Sequence, residues 1–295
     1  MTSIFENTHS KVTVHMLHDD TLTEDNRQKL IRTAEKYSQE LNLIDITSYK
    51  DTISKGKIDQ DTINRYSIGT FFRLFIPDIL PSLEKIIYLD CDVLCNMDIH
   101  DLWSQDMDNK SLAGAVDLPG MKFNESIYSQ KMRLILNGCR PETYINAGVM
   151  LMDLNRIRQK GNLLEMAVEW LTRRGKMALA SDQDALNSLF AGDIKILDSR
   201  FNQNVLIPDM SGRIIHMLFG KPWRGMRGRQ SDSIYWKMYL RSAWGENVSR
   251  DELVDILNIS DATDKPSTLR RIYGLAFRLL NKVMPMAALR YIIID

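Results

Sequence analysis

The run Lys85-Ile-Ile-Tyr-Leu-Asp-Cys-Asp92 decides both the fold class and the chemistry expected of this chain. Its apolar part leads into two acidic residues, a pattern that predicts a buried strand ending at a polar edge. In an extended backbone Asp90 and Asp92 point to the same side, because side chains alternate. Two carboxylates on one side repel each other unless a cation or proton lies between them, and oxygen ligands suit Mg²⁺ or Mn²⁺. Since Asp-x-Asp is common, two unrelated aspartates in a solvated loop are the alternative.

Similar apolar runs lie on both sides of this stretch and alternate with segments of helical periodicity. Thr23 is a candidate N-cap for the first helix, and Pro77 is expected to end the helix predicted over 66–76. This alternation favours an α/β layered fold with a largely parallel sheet, in which ligands lie beyond the carboxyl ends of the strands. The predicted strands are 12–17, 43–46, 85–90, 112–116, 144–151, 194–197 and 213–216, and further helices are predicted over 163–171, 182–190 and 233–243.

The composition of the 295 residues is that of a globular protein, with 44% hydrophobic residues and 38 basic residues against 38 acidic ones. A net charge of zero argues against a general nucleic-acid binder, so no nucleic-acid partner is expected. Three cysteines are too few for a disulfide scaffold and favour a reducing compartment. Because no run approaches ~20 apolar residues and the start lacks a signal-peptide pattern, we expect a cytoplasmic protein.

A histidine and a lysine extend the chemistry suggested by the two aspartates. His216 ends the apolar run 213–216, and an imidazole added to two carboxylates shifts the preference from Mg²⁺ towards Mn²⁺. Gly220-Lys-Pro-Trp223 follows closely, and backbone amides near a glycine together with the compact charge of Lys221 suit a diphosphate. The alternatives are a structural histidine and an ordinary surface turn.

Two polar clusters interrupt segments that otherwise read as structural. In Tyr144-Ile-Asn-Ala-Gly-Val149, small residues permit a ligand to approach the backbone, while the Asn146 amide donates and accepts hydrogen bonds. In Ser181-Asp-Gln-Asp184, Ser181 is a plausible helix cap, and capping alone accounts for the serine and the acids. Gln183 is not needed for capping, which favours a functional role for its amide.

Taken in order, four motifs resemble the retaining glycosyltransferases of family 8, which include bacterial lipopolysaccharide galactosyl- and glucosyltransferases and relatives of glycogenin. The resemblance runs from about Ile4 to Trp223, and the ordered set is more specific than any single motif. The motifs are Leu89-Asp-Cys-Asp92, Tyr144-Ile-Asn-Ala-Gly-Val149, Ser181-Asp-Gln-Asp184, and Ile215-His216 leading to Lys221-Pro-Trp223, and His15-Met-Leu-His-Asp19 and Phe71-Phe-Arg-Leu-Phe75 are similar to further family segments.

This resemblance implies a GT-A fold, a UDP-sugar donor (usually UDP-glucose or UDP-galactose), a saccharide acceptor and Mn²⁺ as the cofactor, with Mg²⁺ as the alternative. It implies that Asp90, Asp92 and His216 are metal ligands and that Asp117 faces the acceptor. The catalytic positions that it implies are Gln183 and Asp182. The donor-binding positions are Arg73, Asp90, Cys91, Asp92, Asn146, Ala147, Asp182, Gln183, Gly220 and Lys221.

The chain departs from the family pattern in two places. Family members begin with a strand and an Asp-x-Asn-Tyr-like loop, whereas the segment 3–8 here is similar to the end of the following helix. The first β-strand and the nucleotide loop are therefore expected to be absent. The step from His216 to Lys221 is five positions, one fewer than the family pattern. In the expected mechanism, Gln183 is too poor a nucleophile for double displacement, which favours front-face attack by the acceptor, with Asp182 as the alternative nucleophile.

The segment 263–295 is expected to be a tail distinct from a glycosyltransferase domain over 1–262. From Lys265 to Asp295 six basic residues face one acidic residue, and apolar positions recur at helical spacing over 272–283. A basic amphipathic helix can lie on an anionic membrane surface, so we expect peripheral attachment to the inner leaflet, near a glycan or lipid-linked acceptor. Packing on the catalytic body and dimerisation are the alternatives.

Two alternatives to a transferase share part of this pattern. A haloacid-dehalogenase-type phosphatase also carries Asp-x-Asp after a strand, but it usually continues with Gly-Thr where this chain has Val93-Leu94, and it leaves the other motifs without a role. A degenerate family member, lacking the nucleotide loop and binding a sugar or a partner without turnover, is the second rival.

Overall fold

The computed structural model describes residues 1–49, 68–117, 127–174, 177–204, 209–218, 221–224, 230–246, 248–249 and 289–294. Among these residues, no helix combines the length and apolar character needed to cross a membrane. The amphipathic helix predicted over 272–283 lies outside the described residues, and the boundary at 262/263 stays a prediction.

Strands and helices alternate along much of the chain. The strands are β1 (Thr13–His18), β2 (Glu40–Asp45), β3 (Lys85–Asp90), β4 (Val93–Asn96), β5 (Leu112–Ala115), β6 (Val149–Asp153), β7 (Ile194–Leu197), β8 (Gln203–Asn204), β9 (Arg213–His216) and β10 (Leu289–Ile294). The helices are α1 (Thr2–Asn7), α2 (Glu24–Lys36), α3 (Ile76–Ile79), α4 (His100–Trp103), α5 (Ile127–Leu136), α6 (Leu154–Lys160), α7 (Leu163–Arg174), α8 (Ser181–Leu189) and α9 (Gln230–Arg241), and 3-10 helices span Ile68–Phe75, Pro141–Thr143, Ser199–Asn202 and Pro222–Arg224.

The main sheet has seven strands in the order β2-β1-β10-β3-β6-β5-β7. Strands β1, β2, β3, β5 and β7 point the same way, while β6 and β10 run against their neighbours. Both faces of β3 are covered: Ile86 and Tyr88 belong to one hydrophobic cluster, and Ile87 and Leu89 belong to another. Burial on both faces accounts for the unbroken apolar run in the sequence.

Strand β10 lies in the middle of this sheet, antiparallel to both β1 and β3. Its register places Tyr291 opposite Asp90 of β3 and Ile294 opposite Val14 of β1. The α/β fold was predicted from the sequence, but this strand was not, because its partner strands are more than 190 positions away. Six residues of the expected tail therefore pair within the main sheet.

A second sheet positions the polar edge of β3. It has three strands in the order β4-β9-β8, with Val93 of β4 opposite His216 of β9. The chain leaves the main sheet at the end of β3 and enters the small sheet at Val93, so Cys91 and Asp92 form the turn between the two. This turn corrects the assumption of an extended Asp90–Asp92 backbone.

Local predictions had mixed outcomes. Thr23 is the N-cap of α2, as predicted, and its side chain accepts a hydrogen bond from the backbone N–H of Asn26. Pro77 does not end a helix. It lies in the first turn of α3, where its missing N–H costs no intrahelical hydrogen bond. The strand predicted over 144–151 begins only at Val149, because the residues before it lie in the polar site described below.

Candidate active site

Three predicted metal ligands converge at the carboxyl end of β3. One ligand atom from each of Asp90, Asp92 and His216 can be chosen so that all three lie within 4.8 Å of one another. The Nε2 atom of the buried His216 lies 3.2 Å from Asp92 Oδ1 and 3.9 Å from Asp90 Oδ2. These three residues are called the metal corner below, because two carboxylates and an imidazole form a donor set suited to a divalent cation.

Each carboxylate of the metal corner is held through one oxygen and presents the other to His216. The Oδ1 atom of Asp90 accepts hydrogen bonds from Arg73 Nη2 at 2.9 Å and from the Tyr88 hydroxyl at 2.7 Å. The Oδ2 atom of Asp92 forms an ion pair with Lys221 Nζ. The two oxygens that face the imidazole are thus oriented by their partner oxygens, which is how outer contacts fix metal ligands.

Asn202, which the sequence analysis missed, orients the imidazole of His216. Asn146 Oδ1 accepts a hydrogen bond from the backbone N–H of Gly148 at 3.0 Å, which fixes the amide orientation of Asn146. The same oxygen accepts from Asn202 Nδ2 at 3.0 Å, so Asn202 must turn its own oxygen towards His216 Nδ1, 3.0 Å away. Because that oxygen can only accept, the proton of a neutral imidazole lies on Nδ1 and the Nε2 lone pair faces the two carboxylates.

Gly148 shows how closely the backbone approaches this corner. A Cβ atom at this position would lie 2.2 Å from His216 Cε1 and 2.8 Å from Asp90 Oδ2. No side chain fits there without moving the imidazole. The glycine that the sequence flagged for close backbone approach therefore leaves room for the metal corner itself.

Arg73 joins the metal corner to the second polar cluster. Its guanidinium is buried and forms ion pairs with Asp90 at 2.9 Å and with Asp182 at 3.1 Å. It also donates to the carbonyl oxygen of Ala147 and stacks over the Tyr88 ring, 4.6 Å from its centroid. Five fixed donors on a planar group allow a single arginine to hold two carboxylates at once.

The amide of Gln183 has hydrogen bonds at both ends. Its Oε1 atom accepts from the backbone N–H of Ala147 at 3.1 Å, and its Nε2 atom donates to Asp117 Oδ2 at 2.8 Å and to the Tyr144 hydroxyl at 3.1 Å. The Tyr144 hydroxyl in turn donates to Asp184 Oδ1 at 2.5 Å. Burial and the Asp184 carboxylate raise the pKa of Tyr144 well above its usual value, so the phenol stays protonated. Asp117, Tyr144, Gln183 and Asp184 are called the amide network below.

The start of α8 corrects the predicted cap. Ala180 is the N-cap of α8, and Ser181 is its first residue, with φ of 36° and a buried hydroxyl. A left-handed conformation is costly for a serine, and such strain is concentrated at functional sites. The strained Ser181 lies directly before Asp182 and Gln183. Asp184 supplies the capping contact instead, because its Oδ2 atom accepts from the backbone N–H of Ala180.

The other predicted donor contacts have mixed outcomes. Gly220 lies outside the described residues. Lys221 contacts Asp92 across the metal corner, and Cys91 is half-buried in the turn between Asp90 and Asp92. Burial raises the pKa of the Cys95 and Cys139 thiols to about 12, which leaves them inert, as expected of structural cysteines.

A mainly parallel sheet with Asp-x-Asp at the end of an interior strand, beside a histidine that is distant in the sequence, is found in the GT-A-like glycosyltransferase fold. The model of glycosyl transferase family 8 matches residues 1–225, and the chain belongs to this family. The family resemblance found in the sequence is thereby confirmed.

Individual relatives agree with this assignment. A putative glycosyltransferase of Haemophilus influenzae is 26% identical over 204 residues, covering 68% of this chain and 57% of the relative. A probable galacturonosyltransferase-like protein 4 of Arabidopsis thaliana is 32% identical over 179 residues, covering 54% of this chain and 50% of the relative. The chain thus spans about half the length of these relatives.

Among solved structures, the galactosyltransferase LgtC in complex with donor and acceptor sugar analogues superposes with a TM-score of 0.68 and 22% identity. The superposition covers 84% of this chain and 91% of LgtC. The GlyE glycosyltransferase of Streptococcus pneumoniae superposes with a TM-score of 0.59 and 20% identity, covering 90% of this chain and 61% of GlyE. At this identity the likeness establishes a shared fold.

Proposed function

We propose that this protein is a retaining hexosyltransferase that moves glucose or galactose from a UDP-sugar to a cell-surface glycan or lipid-linked acceptor, with Mn²⁺ or Mg²⁺ as its cofactor. The observation that carries the proposal is the convergence of Asp90, Asp92 and His216 beside Asp182 and Gln183 at the carboxyl edge of the sheet.

The metal corner has the properties of a ligand set. Its carboxylates are oriented through their outer oxygens, its imidazole is oriented by Asn202, and Gly148 keeps the space beside it clear of a side chain. Asp90, Asp92 and His216 would hold the ion. When bound, a divalent cation supplies Lewis-acid stabilisation of the charge on a departing diphosphate.

Positive groups and a cavity support a nucleoside diphosphate as the donor. Lys221 lies next to Asp92, where its ammonium can also bind a phosphate oxygen. An apolar cavity of about 150 Å³ opens beside Cys91, and Met16, Tyr235 and Trp244 are among its lining residues. A flat nucleobase suits an apolar cavity with aromatic walls.

The amide network supports front-face attack. Because Gln183 Oε1 accepts from the Ala147 N–H and its Nε2 donates to Asp117, the amide is placed to orient a sugar rather than to form a bond with it. The acceptor hydroxyl then attacks the anomeric carbon on the side from which the diphosphate leaves, and the departing phosphate takes the proton. Asp182 is the alternative nucleophile, and its ion pair with Arg73 makes its carboxylate less nucleophilic.

The location of the reaction follows from its expected acceptor. We propose that the enzyme works in the cytoplasm, attached peripherally to the inner face of the membrane, where lipid-linked saccharides are accessible. The net charge of the segment 265–295, which has six basic residues and one acidic residue, supports this location.

Donor hydrolysis tests the proposal without knowledge of the acceptor. The full chain should hydrolyse UDP-glucose or UDP-galactose with Mn²⁺ and lose this activity in the presence of a chelator. Asp92→Ala should reduce hydrolysis to the chelated level, because one metal ligand is lost. Asp101→Ala in α4, where the aspartate is exposed, is the matched control and should hydrolyse the donor like the wild type.

Two results would count against the proposal. Full hydrolysis by Asp92→Ala would remove the metal corner from the mechanism. Binding of a UDP-sugar by calorimetry without hydrolysis or transfer would favour the rival, a family member that binds sugars without turnover.

A further inference from the structure

Helix α5 has an unusual distribution of apolar side chains. Its residues Tyr128, Met132, Ile135 and Leu136 are 75%, 40%, 54% and 56% exposed, whereas Gln130 and Leu134 on the other side are buried. At 100° per residue the four exposed residues fall within an arc of about 100°, which makes one continuous stripe. In the described part of the chain, these four make up most of the exposed large hydrophobic residues, and the remainder are Val116 and Met177. The four residues are called the α5 stripe below.

The C-terminal end of the α5 stripe lies beside the end of α7 and the residue Met177 that follows it. Arg174 Nη1 donates to the carbonyl oxygen of Leu136, and Asn137 Nδ2 donates to the carbonyl oxygen of Met177. Met177 itself is 41% exposed, so the apolar surface extends past the end of α5. Contiguous apolar surface on a folded protein marks a contact with a membrane or a protein.

Charge discriminates between the possible occupants. The two described segments that meet here, 127–140 and 171–174, contain three and two basic residues, respectively, and no acidic residue. Two of these basic residues are neutralised by ion pairs, Arg133 with Asp184 and Arg173 with Glu169. The surface around the stripe is therefore basic, and Lys131 borders the stripe directly on α5.

A basic rim disfavours the two proteinaceous occupants that this chain could supply. The tail over 265–295 has six basic residues and one acidic residue, so it would be repelled. A second copy docked through the same surface would bring like charges together. An anionic lipid surface is complementary: apolar and tyrosine side chains enter the interface between headgroups and acyl chains, and basic side chains contact the headgroups.

We propose that the α5 stripe is a membrane-docking surface that inserts into an anionic lipid interface. The contact between Arg133 and Asp184 connects α5 to the amide network, and Gln183 contacts Asp117 in the same network. Docking through α5 would therefore place the acceptor side of the site at the membrane, where a lipid-linked acceptor is presented. That last step rests on the proposed transferase function, whereas the lipid contact does not.

Vesicle flotation of the full chain tests the proposal. Wild-type protein should float with vesicles of phosphatidylcholine and phosphatidylglycerol and much less with phosphatidylcholine alone. The triple variant Tyr128→Ser, Ile135→Ser and Leu136→Ser should lose at least about tenfold in vesicle binding, since three apolar groups no longer enter the interface. These side chains are exposed, so the fold should be unaffected. The matched control, Tyr128→Phe, Ile135→Val and Leu136→Met, keeps the stripe apolar and should float like the wild type.

A second set of variants separates the stripe from the tail. Arg271→Gln, Arg278→Gln and Lys282→Gln neutralise the tail and should leave most of the α5-dependent binding in place. Flotation of the serine variant at the wild-type level would overturn the proposal. So would a wild-type dimer in light scattering that the serine variant converts to monomer, because a second copy would then be the occupant.

Donor hydrolysis in solution keeps the two proposals distinguishable. The serine variant should hydrolyse UDP-sugars like the wild type, because its three positions lie outside the metal corner and the amide network. Loss of flotation with unchanged hydrolysis supports the docking surface. If neither protein hydrolyses a donor, the proposed function fails while the flotation result still decides the docking surface.

Discussion

The metal corner and the amide network lie side by side, yet they are built differently. In the metal corner, one oxygen of each carboxylate and one imidazole nitrogen point at each other across 3.2 to 3.9 Å. In the amide network, each polar atom of the Gln183 amide has a hydrogen-bond partner within the protein. Converging lone pairs favour an added cation, whereas a satisfied amide is rigid before any ligand arrives. The metal corner is therefore completed by its ligand, whereas the amide network is already organised without one.

Arg73 belongs to both halves, so its removal should have the largest effect. We expect Arg73→Met to lower the free energy of unfolding by about 3–5 kcal/mol, because the buried Asp182 would be left as an uncompensated charge and the partly exposed Asp90 would lose the same partner. It should also abolish metal binding and donor hydrolysis together. Urea unfolding measures the first effect, and titration with Mn²⁺ measures the second.

An exposed ion pair provides the control for Arg73. Arg156 pairs with Asp153 at 3.5 Å, with both side chains partly exposed to solvent. Arg156→Met should therefore cost less than about 1 kcal/mol and leave hydrolysis unchanged. If Arg73→Met were no less stable than Arg156→Met, the two halves would not be joined through this arginine.

Asn202 tests the metal corner by itself, because its side chain forms hydrogen bonds with His216 and Asn146. Asn202→Leu should weaken Mn²⁺ binding by about 10–100-fold, since the imidazole loses the partner that fixes its tautomer. Asn202→Asp keeps an oxygen acceptor for Nδ1 and should recover most of the affinity. Calorimetric titration with Mn²⁺ measures both, with the exposed Asn155→Leu as the control. Equal affinities in all three variants would contradict the role given to Asn202.

The metal corner was more predictable from sequence than its support. Asp90, Asp92 and His216 each end or follow an apolar strand, which is the signal that marked them, although β3 and β9 belong to different sheets and meet where the chain passes from one sheet to the other. Asn202 has no such signal. It is the last residue of a short 3-10 helix, and its importance depends on the pairing of β8 with β9, which no local pattern encodes.

Two of the failed local predictions, the Ser181 cap and the strand over 144–151, have a common physical cause. Ser181 has the composition of an N-cap, but the backbone at this residue is left-handed and the capping contact passes to Asp184. Residues 144–148 have strand-like composition, yet Asn146 and Gly148 serve the site instead of a ladder. Tertiary contacts overrode local propensity where functional side chains are concentrated. The central position of β10 was likewise invisible, because pairing across such a separation leaves no periodic trace.

Tyr144→Phe should have the smallest effect of the three variants and should affect only the amide network. Gln183 Nε2 loses one acceptor and Asp184 loses one donor, while Asp117 still holds the amide. We expect about a tenfold loss in kcat, or about 1.4 kcal/mol, with Mn²⁺ affinity unchanged. Because the pKa of Tyr144 is held well above its usual value, the phenol does not titrate in the assay range. The dependence of kcat on pH should therefore be the same in Tyr144→Phe and in the wild type.

Tyr37→Phe is the matched control, since the Tyr37 hydroxyl also donates to a carboxylate, Glu6, at 2.5 Å but outside the site. Both variants lose a tyrosine–carboxylate hydrogen bond, whereas only Tyr144→Phe should slow turnover. A fall in Mn²⁺ affinity in Tyr144→Phe would contradict the division into two halves. Such a result would mean that Gln183 and Ala147 transmit changes to Arg73, and through it to Asp90, so that the site responds as one unit.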